Sequence, residues 1–186
     1  MAWVVPLFLL TRLTTPWERM DMRFSAGGRD SASRGKWASW IATGLGVGYF
    51  PRSPGTAGSL VGFFLFWPLR SLPWFGAALI LLFLFGIGIY AAGVSESFFG
   101  MKDSSRIVID EIAAMMLVFF MLPAGPGWWA AGFFAFRFFD ISKPPPIRAL
   151  EKLQGGWGVM MDDLLAACYT VGLLRLSEKI YALLSA

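Results

Sequence analysis

The chain has 186 residues, of which 56% are hydrophobic and 15% charged, and its net charge is +4. An average soluble domain has about 45–50% apolar and about 25% charged residues, so this composition favours a membrane-embedded protein. The chain has no histidine and one cysteine, Cys168. These counts exclude a Ser-His-Asp hydrolase, a histidine-ligated zinc site and an intramolecular disulfide. The few basic residues suit an anionic lipid or a phosphorylated substrate better than nucleic acid.

The first 35 residues are predicted to be an N-terminal extension outside the folded domain. Residues 23–36 are rich in Gly, Ser and Arg, a composition typical of disorder. The apolar start, residues 1–10, is shorter than the ~20 residues that a membrane-spanning helix needs. We therefore expect one helical domain over residues 36–186.

Long apolar runs predict an all-α, membrane-embedded bundle with about five membrane-associated helices. The run 74–94 has no charged residue, and at ~1.5 Å per residue it can cross a hydrocarbon core ~30 Å thick. Most basic residues fall in the connections on one side of this arrangement, which the positive-inside rule assigns to the cytoplasm. The five predicted crossings are 57–72, 74–94, 107–122, 127–141 and 160–184.

Five acidic residues lie at the predicted cytoplasmic ends of these helices. Asp110 and Glu111 lie within an apolar helix, where a charge is expensive and usually functional. Asp140 ends an aromatic helix, and Asp162 and Asp163 follow a glycine-rich turn. Carboxylates brought together repel each other, and a hard cation such as Mg²⁺ relieves that repulsion. The three segments are therefore predicted to share one metal site that faces the cytoplasm.

Basic and hydroxyl side chains near these acids are candidates for binding a phosphate group. The loop 48–59 is rich in turn residues and precedes a helix whose free N–H groups favour anions. Local ion pairs and contacts with lipid headgroups are plainer explanations for the same residues. The predicted phosphate-binding residues are Arg52, Thr56, Ser59, Arg106, Arg137 and Lys143.

Four segments, in this order, resemble the signature blocks of the phosphatidylglycerophosphatase A family. They are GYFPRSPGTAGS (48–59), IDE (109–111), FRFFDISKPPPI (136–147) and GGWGVMMDD (155–163). The resemblance covers about residues 37–175, and the pair Ala113–Ala114 departs from it where a glycine is expected. It implies a helical, Mg²⁺-dependent enzyme of the bacterial inner membrane. Such an enzyme removes the terminal phosphate of phosphatidylglycerophosphate, leaving phosphatidylglycerol.

Under this hypothesis the five acids hold Mg²⁺, and one carboxylate takes the proton of the attacking water because no histidine is available. Direct attack by water and a covalent aspartyl-phosphate both stay open. The main alternative is a small membrane transporter or cation-binding membrane protein, which predicts acids spread across the depth of the membrane. A CDP-alcohol phosphotransferase predicts a longer, regular aspartate pattern, and a purely structural protein gives no reason for five acids near the bilayer.

Overall fold

The computed structural model describes residues 29–102 and 104–185, and in these ranges all regular structure is helical. The prediction of an all-α fold is thus confirmed for the described residues. Within these ranges, seven α-helices and one short 3₁₀ helix follow each other. Their bounds are α1 (Arg29–Ala42), the 3₁₀ helix (Val47–Tyr49), α2 (Pro54–Leu69), α3 (Trp74–Phe99), α4 (Ile109–Met121), α5 (Pro126–Ser142), α6 (Ile147–Leu150) and α7 (Gly156–Leu184).

The chain divides into two compact units, Met1–Trp37 and Ala38–Ala186. In the first unit, the described residues belong to α1, so the last part of the predicted extension is helical. Residues 1–28 lie outside the described residues, and their predicted disorder stays a prediction. All candidate site residues lie in the second unit.

Helix α4 is the centre of the second unit. It packs against α2, α3, α5 and α7, and Ala113, Ala114 and Met115 along it are fully buried. A helix surrounded on all sides can be apolar over its whole circumference, which explains its almost uncharged sequence after Glu111. Because the rest of α4 is buried in the core, Asp110 and Glu111 at its start are positioned at the edge of that core.

Glycines allow the helices around the site to approach closely. On α2, a side chain at Gly62 would collide with the backbone carbonyl of Ile112 on α4. On α7, a side chain at Gly156 would collide with the backbone of Ile89 on α3. Small residues at such crossings are common where helices pack within a membrane. The first contact brings α2 against α4, and the second brings the start of α7 against α3.

One helix, α3, is long and apolar enough to cross a membrane in the described part of the chain. The prediction of about five crossings is not confirmed. Helices α2, α4 and α5 have 16, 13 and 17 residues, fewer than the ~20 that a full crossing needs. The 29-residue α7 is long enough, but its second half carries charged side chains, including Arg175, Glu178 and Lys179.

Two helices begin earlier than their sequences predicted. Helix α2 begins at Pro54 instead of residue 57, because proline at the first helical position has a preset φ and needs no hydrogen-bond acceptor. Helix α7 begins at Gly156 instead of Met160, because tight packing against α3 offsets the low helix propensity of glycine. Both shifts convert predicted loop residues into first turns of helices beside the acids.

Candidate active site

Three carboxylates from two helices form the centre of the site. Asp110 and Glu111 lie in the first turn of α4, and Asp163 lies in the second turn of α7. One carboxylate oxygen of each residue lies within 4.8 Å of the others. The backbone N–H of Glu111 donates a hydrogen bond of 3.0 Å to Asp110 Oδ1, which fixes that carboxylate. Two segments distant in sequence thus converge on one point, with three of the five acids that the sequence predicted for a shared site.

Burial makes this cluster costly without a cation. The three acids lie outside α3, the helix that can cross a membrane. Burial raises the pKa of the Asp110 and Asp163 carboxyls well above the ordinary value, and repulsion from neighbouring carboxylates raises it further. Within the described residues, Glu111 Oε2 and Asp163 Oδ2 are buried and accept no hydrogen bond. An oxygen-only donor set with such orphaned oxygens fits a hard divalent cation. Asp110, Glu111 and Asp163 could therefore hold a metal ion.

Helix α5 adds an ion pair beside the cluster. Arg137 Nη1 lies 2.6 Å from Asp140 Oδ2, one helical turn away, and 4.0 Å from Glu111 Oε1. Asp140 is close enough to Asp163 to raise the pKa of the Asp163 carboxyl. The structure therefore places Asp140 at the edge of the cluster, paired with one of the predicted phosphate-binding cations.

The adjacent acids on α7 point to different partners. Lys143 Nζ lies 2.7 Å from Asp162 Oδ2 and 2.6 Å from Glu151 Oε1, while Asp163 joins the cluster. Burial alone lowers the pKa of the Lys143 ammonium, but its hydrogen bonds to Asp162 and Glu151 outweigh this effect and raise it. Lys143 thus neutralises Asp162 and braces the start of α7.

The first turn of α2 closes another side of the site. A side chain at Gly55 would collide with Glu111 Oε1 and lie 3.2 Å from Arg137 Nη1. Ser59 is buried, and its hydroxyl donates a hydrogen bond of 3.0 Å to the carbonyl of Gly55. Thr56 is half-buried on the same turn, and Arg52 is exposed just before it, with a left-handed φ of 78°.

Arg106 makes contacts that the sequence did not predict. Its guanidinium lies over the rings of Tyr49 and Phe99, 5.5 and 5.7 Å from their centroids. Cation–π contacts of this kind hold the connection between α3 and α4. Its predicted contact with phosphate stays a prediction, as do the roles of the other site residues.

Sequence reasoning missed two residues of the site, Gly55 and Glu151. The sequence predicts a loop at Gly55, and glycines are common in loops and give little signal there. Glu151 lies in the polar connection after α6, and three prolines at 144–146 separate it from Lys143, so the two residues share no helix. Only the folded chain brings it to Lys143 Nζ.

Comparisons with known proteins identify the family of this chain. The family model of phosphatidylglycerophosphatase A matches residues 40–178. The chain belongs to this family. It is 36% identical over 136 residues to phosphatidylglycerophosphatase A of Escherichia coli, covering 72% of this chain and 79% of that protein. All the candidate site residues lie within the matched range.

Two further proteins that are similar to this chain carry different names. Phosphatidylglycerophosphatase A of Haemophilus influenzae is 41% identical over 136 residues, which is 70% of this chain and 82% of that protein. A Bacteroides thetaiotaomicron protein with the provisional name phosphatidylinositol-3-phosphatase is 40% identical over 147 residues, 74% of this chain and 91% of its own. No solved structure matches the chain.

Proposed function

We propose that the protein is a phosphoric monoester hydrolase that converts phosphatidylglycerophosphate to phosphatidylglycerol and inorganic phosphate. The meeting of Asp110, Glu111 and Asp163 within 4.8 Å is the observation that carries the proposal. Its support from relatives is the membership of the phosphatidylglycerophosphatase A family. The same acids have no role in a protein that only shapes the membrane, because buried unpaired carboxylates cost free energy.

The proposed cofactor is Mg²⁺, held by the three clustered carboxylates. When bound there, Mg²⁺ would neutralise charge on the phosphate and activate water for attack. Asp140 and Asp162, which the sequence also suggested as ligands, are each paired with a cation. We propose that Asp140 orients Arg137 and that Asp162 orients Lys143. Both acids also add negative charge beside the cluster.

The side chains suggest how the chain handles substrate and proton. Arg137 is fixed by Asp140 on one side, and within the described residues its buried Nε donates no hydrogen bond. That N–H can donate to a non-bridging phosphate oxygen. The free N–H groups at the start of α2 favour the same anion. A clustered carboxylate accepts the proton of the attacking water as the water oxygen bonds to phosphorus. The bond from phosphorus to the glycerol oxygen then breaks, and the departing glycerol oxygen takes up that proton.

We further propose that the protein lies in the bacterial inner membrane with the acid cluster facing the cytoplasm. Helix α3 can span the bilayer, and large apolar side chains are exposed on the surfaces of three helices. Such a surface is normally covered by lipid or protein. These exposed residues include Leu60, Phe64 and Trp67 on α2, Leu79, Leu82 and Phe83 on α3, and Phe134 and Phe138 on α5.

The similarity to the Bacteroides protein favours a second candidate substrate, a phosphatidylinositol carrying a 3-phosphate. Both substrates are phosphate monoesters on a glycerolipid headgroup, so the same cluster could serve either one. A membrane transporter is less well supported, because three acids gathered at one point do not line a path through a bilayer.

The test is release of inorganic phosphate by the purified protein in detergent micelles, with each lipid offered separately. We expect release from phosphatidylglycerophosphate that stops with EDTA and returns with Mg²⁺. The Glu111→Gln variant should lose activity, whereas Glu178→Gln, in the exposed pair with Arg175, should keep it. No release from either lipid, or undiminished release by Glu111→Gln, would overturn the proposal. Release only from the inositol lipid would replace the substrate.

A further inference from the structure

An apolar groove runs between α2 and α5. Both helices pack against α4, and the space left between them has a volume of about 290 Å³. Its floor includes Phe119 of α4, which packs edge-on against Phe63 of α2. The groove is lined by apolar and aromatic residues, chiefly Leu60, Phe63, Phe119, Trp129, Phe133 and Phe134. A groove of this size and lining suits an apolar ligand.

One end of the groove lies toward the acid cluster along both helices. Phe134 lies one helical turn before Arg137 on α5, and Leu60 lies just over one turn after Gly55 on α2. Gly55, Arg137 and Glu111 meet at the site itself. The helices that build the groove are therefore the helices that carry the polar residues at its end.

The length of the groove matches one leaflet of a bilayer. Pro126 and Phe134, the first and last groove residues on α5, are eight positions apart, which corresponds to about 12 Å along a helix. A hydrocarbon core ~30 Å thick gives each leaflet about 15 Å. A chain in the groove would therefore run along the depth of its own leaflet while its headgroup stays at the Arg137 end.

A second exposed apolar surface provides a comparison. Leu82, Phe83 and Tyr90 line a shallow hollow on α3, and every residue around it belongs to that one helix. Such a face can be covered by any lipid. The α2–α5 groove differs because it has walls from two helices, a floor from a third, and a charged end.

From this continuity we infer that the α2–α5 groove binds an acyl chain of the phosphorylated glycerolipid substrate. The inference rests on the proposed function and adds a chain-binding subsite to it. A bound chain positions the phosphate at the Arg137 end, so part of the binding energy orients the headgroup toward the acid cluster. The enzyme should then prefer long-chain lipids through this contact.

The first experiment measures binding without relying on catalysis. The full-length protein in micelles is exposed to light with a phosphatidylglycerophosphate that carries a diazirine in one acyl chain. We expect cross-links to peptides of α2 and α5 around Phe63 and Phe133, with competition by the unlabelled phosphorylated lipid and not by phosphatidylcholine. Equal labelling of the α3 surface around Phe83, or competition by both lipids, would overturn the inference.

The second experiment fills the groove. Ala130 is an exposed groove residue, and Ala182 is an exposed alanine near the end of α7, so Ala130→Phe and Ala182→Phe are matched variants. Ala130→Phe should lower kcat/KM about tenfold for a dipalmitoyl substrate and less than twofold for a dihexanoyl substrate. Ala182→Phe should change neither.

The outcomes separate the inference from the function on which it rests. Equal losses on both substrates, or no loss on the long one, would show that the groove does not bind the chain. Failure of the parent protein to release phosphate from any lipid would contradict the proposed function, and the cross-linking result would still decide whether the groove binds lipid.

Discussion

An arginine lies at each end of the α2–α5 pair, and the two arginines have different surroundings. At the active-site end, Arg137 lies among buried carboxylates, two of which have oxygens without a hydrogen bond in the described residues. At the other end, Arg70 lies over the rings of Trp67 and Trp129, 5.3 and 4.7 Å from their centroids. At the first end, carboxylate oxygens without hydrogen bonds are available to bind a ligand. At the second end, the contacts of arginine with aromatic rings stabilise the fold.

The largest effect should come from Asp163→Asn. This change removes one clustered carboxylate and should lower phosphate release by about 10²- to 10⁴-fold, the range for losing a group that handles a proton. Because it also removes repulsion from Asp140 and Glu111, the melting temperature should stay the same or rise. Phosphate release and thermal unfolding in detergent measure both. A fall in melting temperature with retained activity would show that this end stabilises the fold.

The opposite pattern is expected for Phe66→Ala at the aromatic end. Phe66 is buried and packs against Phe119 with ring centroids 6.2 Å apart. Truncating it should lower the free energy of unfolding by about 3 kcal/mol through the cavity it leaves. Folded protein should keep its phosphatase activity, measured below the melting temperature. Comparable losses of activity and stability would erase the difference between the two ends.

Gly55→Ala tests how tightly the active-site end is built. Its added methyl group would press on Glu111 and Arg137, and we expect kcat to fall about tenfold, because displacements of about 1 Å at a reacting group are costly. Gly172→Ala, where a methyl group meets no atom within 4 Å, is the matched control. It should leave kcat unchanged and can stabilise α7 by a few tenths of a kcal/mol. Equal kcat values for the two variants would mean that the contact with Gly55 is not restrictive.

The smallest effect should come from Arg70→Ala. An exposed cation–π contact contributes about 0.5–1 kcal/mol, so the melting temperature should fall slightly, with phosphate release unchanged. The measurement is thermal unfolding beside the same change at Arg148, an exposed residue of α6. A loss of activity in Arg70→Ala would show that the two ends are coupled.

Much of the site could be predicted from local sequence. Acids such as Asp110 and Glu111 stand out because a charge within an apolar helix has a high cost. The pair Asp162 and Asp163 did not reveal which member faces the cluster, because that depends on the rotation of α7 against α3 and α4. The start of α2 was also misplaced, because a glycine-rich turn and a glycine-rich helix that packs closely have similar compositions.

Composition alone does not determine the number of membrane crossings. Apolar runs such as 107–122 predict a crossing, but α4 is short and enclosed by other helices. A buried core helix and a lipid-facing helix have the same apolar composition, and only the surroundings distinguish them. The hydrophobicity of a segment indicates that it is shielded from water, but it does not distinguish surrounding protein from surrounding lipid.

The sequence by itself determined the helical class, the absence of histidine chemistry and the family, because these depend on composition and on ordered local motifs. The tertiary structure decided which acids meet. It placed Asp163 with Asp110 and Glu111, and it paired Asp140 with Arg137 and Asp162 with Lys143. Those partnerships depend on helix rotation and on approach distances set by glycines such as Gly62 and Gly156, and such long-range geometry has no local signature in the chain.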